Sequence, residues 1–346
     1  MRTSSVHKSI RRASLAVCCL AGACGQDPVV PATSTARTEV AIPRQPSETS
    51  PRRRAVRVSE AAVSAAMAGD LQNIAVNERT FIRYVSLAHL QNAGLTPAEI
   101  EVYRNTISLL MNSLSTTEAI TRPVVLGPSG CLLRVDLRAY GWAARTVEGT
   151  IWESVLVVGD YPYGREGLSA EEAFVVRETG SPVPCVLGDW LIRHALDEPV
   201  YGVALQLPLT RQELEASLLV NVLEDIERGL AVRAGMQDSG VSANNRIIER
   251  HIINVPNLGY VGAYWISYDF ATSDPTQDQN ILIDPLVPTF NGGEIIWNLR
   301  NGLQAYMLVD APGARIPEAP DNIVYDLKSP AGNIRTAFSC ANTSCH

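Results

Sequence analysis

The hydrophobic period of this chain changes partway along, and that change sets what it can fold into. Thr96-Pro97-Ala98-Glu99 is a capping box with proline at the first helical position. Behind it Ile100, Tyr103, Ile107, Leu110, Met111 and Leu114 fall on one helical face. Thr210-Arg211-Gln212-Glu213 repeats the device, opening a predicted helix that carries Leu214, Leu218, Val222 and Ile226 and ends at Gly229. From Tyr260 on the chain turns β-rich. Strands are predicted over residues 262–270, 294–299 and 303–309, with Asn301-Gly302 as the hairpin turn between the last two. Helices first and strands later imply an α+β fold, with a helical N-terminal half and an antiparallel, hairpin-rich C-terminal half. Residues 59–69 read as an Ala-rich helix. The mixed aromatic and aliphatic run at 80–90 leaves its type open. Residues 127–130 break the chain before a half-buried strand at 132–137, where Arg134 and Asp136 interrupt apolar positions.

The N-terminus has a different character. Arg2, Lys8, Arg11 and Arg12 precede a short apolar run at 13–23, as in an export signal. The small residues before Cys24 look like a lipobox, which makes Cys24 the lipidated first residue of the mature protein; the alternative is ordinary cleavage near Ala23 and a soluble periplasmic form. Residues 24–58, rich in Pro, Ser, Thr and Arg without apolar period, read as a disordered tether. Ten Arg or Lys against three acids put residues 1–58 at +7, and the formal charge of −7 for the chain leaves −14 on the remainder. An acidic body argues against nucleic-acid binding, which needs a basic footprint. The expected organisation is a signal peptide (1–23), a tether (24–58), an α+β body (59–333) and a terminal segment (334–346). The expected location is the periplasm or outer membrane, by a lipid anchor.

The terminal segment reads IRTAFSCANTSCH. Cys340, Cys345 and the adjacent His346 have the arrangement of a c-type haem site. Two thiols add to the porphyrin vinyls, and the imidazole ligates the iron as axial ligand. The competing reading is a small disulfide loop between Cys340 and Cys345. The chain stops at His346, an arrangement expected of a sequence that continues. Upstream, His251 and Met307 are the candidates for the opposite iron ligand.

Two further constellations stand out. Asn244-Asn245-Arg246 through Glu249-Arg250-His251 packs polar groups ahead of the aromatic stretch at 264–270. Either His251 is an acid/base with Arg246 as an anion clamp, or the group is a buried hydrogen-bonded network bracing a helix against a sheet. No nucleophile elbow, phosphate loop or zinc spacing accompanies it. His89 and His194 lie in apolar surroundings, as core or boundary residues. Cys131 and Cys185 are the two cysteines of the body, either bridged in an oxidising compartment or buried as thiols.

Several stretches together resemble an uncharacterised family of bacterial envelope proteins that carry a c-type haem (cytochrome c) motif. They are Arg83 to Gly94, Tyr103-Arg104 through Ser115, Arg134 to Trp142, Arg233-Ala234-Gly235, Ser239-Gly240-Val241, Asn244 to His251, Ala263 to Phe270, Gly292 to Ile296 and Asn301 to Tyr306, in that order ahead of the terminal motif. The likeness runs from about Thr80 to His346. Members have two residues between the cysteines where this chain has four. The resemblance implies haem c and single-electron transfer to a redox partner protein. The rival expectations are a haem-free interaction module and a haem-dependent redox enzyme with a substrate site near His251.

Overall fold

A computed structural model describes residues 57–164, 167–236, 246–255, 260–270 and 289–319. The export signal with Cys24, most of the tether, and the terminal segment with Cys340, Cys345 and His346 lie outside the described residues.

Ser59 starts the body: its hydroxyl accepts from the Ala62 amide and caps α1 (Glu60–Gln72), which turns Met67, Ala68 and Leu71 inward. The open stretch at 80–90 resolves into β1 (Ile82–Ser86) and the short α2 (Ala88–Asn92). The Thr96 capping box opens α3 (Pro97–Ser113), and the face expected from its periodicity is the one it buries, with Ile100, Ile107, Leu110 and Met111 inside. Next come β2 (Val124–Leu126), β3 (Leu132–Asp136), α4 (Ile151–Val158), α5 (Ala170–Thr179) and β4 (Val186–Leu187). After α6 (Gly188–His194) and α7 (Val200–Ala204), α8 (Arg211–Ser217) and α9 (Val222–Glu227) lead into six strands. These are β5 (Val232–Met236), β6 (Arg246–Val255), β7 (Tyr260–Asp269), β8 (Gly292–Asn298), β9 (Gln304–Asp310) and β10 (Arg315–Ile316).

The α+β class is therefore right, but the N-terminal half is not purely helical. β1 to β4 form a four-stranded sheet ordered β2-β3-β1-β4, with β1 antiparallel to β3 and parallel to β4. Of these strands β3 is the one expected from the alternation at 132–137; β2 and β4, of three and two residues, are too short to show a period. The second sheet is an antiparallel meander from β5 to β10. The Asn301-Gly302 turn joins β8 to β9 as expected, with Gly302 at φ +85°. One apolar cluster spans both sheets, from Val85 and Leu133 through Trp142, Trp152 and Trp190 to Ile266, Ile295 and Met307.

Two expectations are corrected. The helix predicted from Thr210 to Gly229 is two helices. Leu219 takes a left-handed conformation (φ +54°), and Asn221 then caps α9 by accepting from the Glu224 amide. No disulfide joins Cys131 to Cys185; both are thiols. Cys131 directly precedes β3 and Cys185 directly precedes β4, which flank β1 on opposite sides. Two strand spacings of about 4.8 Å each exceed the roughly 7 Å limit on Cα separation in a disulfide. The Cys131 thiol instead donates to Gln91 Oε1 at 2.6 Å, and burial raises its pKa.

The central strand carries a charge. Arg83 on β1 is 3% exposed and pairs with Glu153 of α4, Nε to Oε1 at 2.8 Å. Its Nη1 donates to the carbonyls of Thr80, Ile82 and Thr179. The other oxygen of Glu153 accepts from the Thr150 amide and hydroxyl at the start of α4. Arg83→Met should therefore lower unfolding stability by about 3–5 kcal/mol by stranding the Glu153 carboxylate. Urea unfolding followed by tryptophan fluorescence measures this; a loss under about 1 kcal/mol refutes it.

Candidate functional site

The sequence cluster ending at His251 lies on β6, and its residues divide between the two faces of the sheet. Side chains alternate along a strand, so Ile247, Glu249, His251 and Ile253 point to the core while Arg250 and Ile252 point out. Arg246 belongs to the second set by register and pairs with Asp269 of β7 at 2.9 Å. His251 and Arg246 are thus on opposite faces of one strand. They cannot converge on a substrate as acid/base and anion clamp, and the enzyme reading of this pair is overturned.

On the core face Glu249 and His251 are both 0% exposed. His251 Nδ1 meets Asp225 Oδ2 of α9 at 3.0 Å, and Nε2 meets Glu249 Oε2 at 3.2 Å. That same Glu249 oxygen accepts from the Tyr268 hydroxyl at 3.1 Å, while Oε1 takes the Arg233 guanidinium. Carboxylates only accept, so two of them facing one ring favour the imidazolium. Burial works against the charge, but the bonds to Glu249 and Asp225 outweigh it and raise the His251 pKa. Burial likewise opposes the Glu249 charge, and His251 and Arg233 overcome it and lower that pKa. Two cations and two carboxylates balance. The group ties α9 to β5, β6 and β7, which is the bracing network foreseen as the alternative to catalysis. The Tyr264 ring packs edge-on to His251 with centroids 5.8 Å apart, and its hydroxyl donates to Glu215 of α8 at 2.9 Å.

With both ring nitrogens engaged, His251 offers no lone pair to iron in this structure. Met307 is 1% exposed within the main apolar core, paired across from Ile295. Both side chains are thus engaged within the folded body. His89 and His194 are boundary residues as expected: His89 Nε2 bonds Asp189 Oδ1 at 2.8 Å, and His194 stacks on Trp190 at 5.2 Å. Among the described residues no group of three or more His, Cys, Asp or Glu side chains could hold a metal ion. No described helix is long and apolar enough to cross a membrane.

Asp225, Glu215 and Tyr264 were not anticipated as parts of this network. A signal did exist. Read at period two, Ile247-Ile248-Glu249-Arg250-His251-Ile252-Ile253 puts Glu249 and His251 at apolar-face positions, where each charge requires a partner.

Beside the network a cleft of about 460 Å³ opens between α8, α9 and the sheet. Its walls include Val222, Leu223, Ile226 and Phe290, and its polar groups include Arg211 and Glu215. Burial raises the Glu215 pKa against the pull of Arg211 and of the Tyr264 hydroxyl.

Comparison of the chain with family models, curated proteins and solved structures finds no match.

The network predicts a stability window. Glu249, with its lowered pKa, contributes stability above the ordinary carboxylate range, about pH 4.3, and loses it as pH falls through the lowered value. His251, with its raised pKa, contributes fully below about pH 6.5 and loses it as pH rises through the raised value. Unfolding free energy should peak between these limits, and His251→Gln should flatten the alkaline limb. A wild-type alkaline limb unchanged in His251→Gln contradicts the assignment.

Proposed function

We propose that the protein is an exported c-type haem protein that passes single electrons to a partner protein in the bacterial envelope. The observation that carries this reading is the donor set Cys340, Cys345 and His346. Two thiols suited to the porphyrin vinyls precede an imidazole suited to the iron. The fit is one of donor chemistry. Bound haem would supply one-electron redox chemistry; the protein would hold the group through the two thiols and tune it through His346. The export pattern before Cys24 supports placement of the protein where haem c is attached, held to a membrane by its lipid.

Expressed into the periplasm of a host that matures c-type cytochromes, the chain should stain for haem on a denaturing gel. Cys345→Ala should weaken or abolish the stain, and a colourless wild-type protein refutes the proposal in favour of the disulfide loop. Cys24→Ser should stop acyl labelling and release a soluble form. A wild-type N-terminus that is a free amine, in a protein partitioning to water, rules out the anchor.

A further inference from the structure

Arg211 is the least satisfied cation near the cleft. It sits at the first position of α8, with its side chain 19% exposed. Its partner one turn on, Glu215, stands at 3.5 Å from Nε, an ion-pair distance without a hydrogen bond, and Nε is buried with no hydrogen-bond partner. Glu215 has another engagement, since its Oε1 takes the Tyr264 hydroxyl. The guanidinium instead leans over the Phe290 ring, 5.8 Å from its centroid. Arg233 across the cleft differs, being paired with Glu249. A guanidinium has five donors in a fork that matches a carboxylate. Among the described residues no acceptor within hydrogen-bond geometry meets that fork.

The walls beside it are apolar. Leu223 of α9 is 69% exposed, Val222 and Ile226 are half-buried next to it, and Phe290 closes the side nearest the sheet, edge-on to Tyr268. At about 460 Å³ the space falls in the range of about 300–1,000 Å³ typical of small-ligand sites. One cationic fork short of hydrogen bonds, beside a short apolar trough, selects a ligand with an anionic, planar head and an aliphatic tail.

We propose that this cleft binds a small amphipathic carboxylate of the medium-chain fatty-acid class, its head on Arg211 and its chain against Leu223, Ile226 and Phe290. The carboxylate completes the hydrogen bonding of Arg211 as a fork-to-fork pair. The tail removes Leu223 from water. This site uses no residue of the terminal motif and stands whether or not the chain carries haem.

Decanoate and decanol, titrated separately into the full chain by calorimetry, test it. Decanoate should bind saturably at one site per chain, and decanol at least tenfold more weakly. Arg211→Gln should weaken decanoate about tenfold or more, the size of a lost charge-assisted hydrogen bond, and leave decanol unchanged. Leu223→Glu, at an exposed position that the fold tolerates, should also weaken decanoate by repelling its head and removing tail contact. Absence of saturable decanoate binding, equal affinity for the alcohol, or full affinity in both variants overturns the proposal.

Discussion

The Arg83–Glu153 pair is the constraint on which the first half of the body is built. β1 is buried on both faces, and one of its five residues is a guanidinium. A cation there is tolerable only if every donor finds an acceptor and the charge finds an anion. Glu153 supplies the anion and fixes the start of α4 through Thr150; the carbonyls of Thr80, Ile82 and Thr179, from the entry to β1 and the end of α5, gather around Nη1. The direction in which α4 leaves its turn, the end of α5 and the entry to β1 are therefore set by one planar group. Trp152, next to Glu153, packs into the main apolar cluster from the same turn of α4.

The second sheet manages charge differently. Its core face carries Glu249 and His251 among aliphatic and aromatic neighbours, and α9 brings Asp225 over the strand to balance them. Its other face buries Arg246 against Asp269, with Ser267 donating to the second Asp269 oxygen at 3.0 Å. Burial pushes the Asp269 pKa up, against Arg246 and Ser267. Both faces of one strand thus hold ion pairs. Such pairs constrain register: a one-residue slip of β6 would bring His251 to the outer face and Arg246 to the aliphatic core.

What the sequence made legible follows from how local each signal is. The Thr96 box, its proline and its apolar face act within one helix, and α3 appears as read. The Asn301-Gly302 turn likewise needs only its own strands. The run from Thr210 to Gly229 misleads because its apolar positions keep helical spacing across a break, and nothing in periodicity marks the left-handed Leu219. β6 reads as polar residues ahead of a strand because Arg246, Glu249, Arg250 and His251 crowd its first half, although Ser239-Gly240 and Asn244-Asn245 are turn signals before it; alternation alone would have sorted Arg246 from His251. Cys131 and Cys185 invited pairing by being two, but their separation is decided by β1, a strand whose type the residues left open. Glu153 was illegible as the partner of Arg83, since nothing local to either residue names the other.

The two sheets also differ in how far the chain must travel to build them. In the meander each strand pairs with its neighbour in sequence, so closing each step confines only the segment between them. β1 instead pairs with β4 about a hundred residues later, Val85 opposite Val186. Loop-closure entropy grows with that distance, and such contacts slow folding. During synthesis β1 emerges early with Arg83 exposed, and its charge stays hydrated until α4 supplies Glu153. The first sheet can therefore close only once Leu187 has been made, whereas each step of the C-terminal meander closes over its own short segment. What joins the two sheets is the shared apolar cluster, in which Val85 of β1 and Ile295 of β8 both take part.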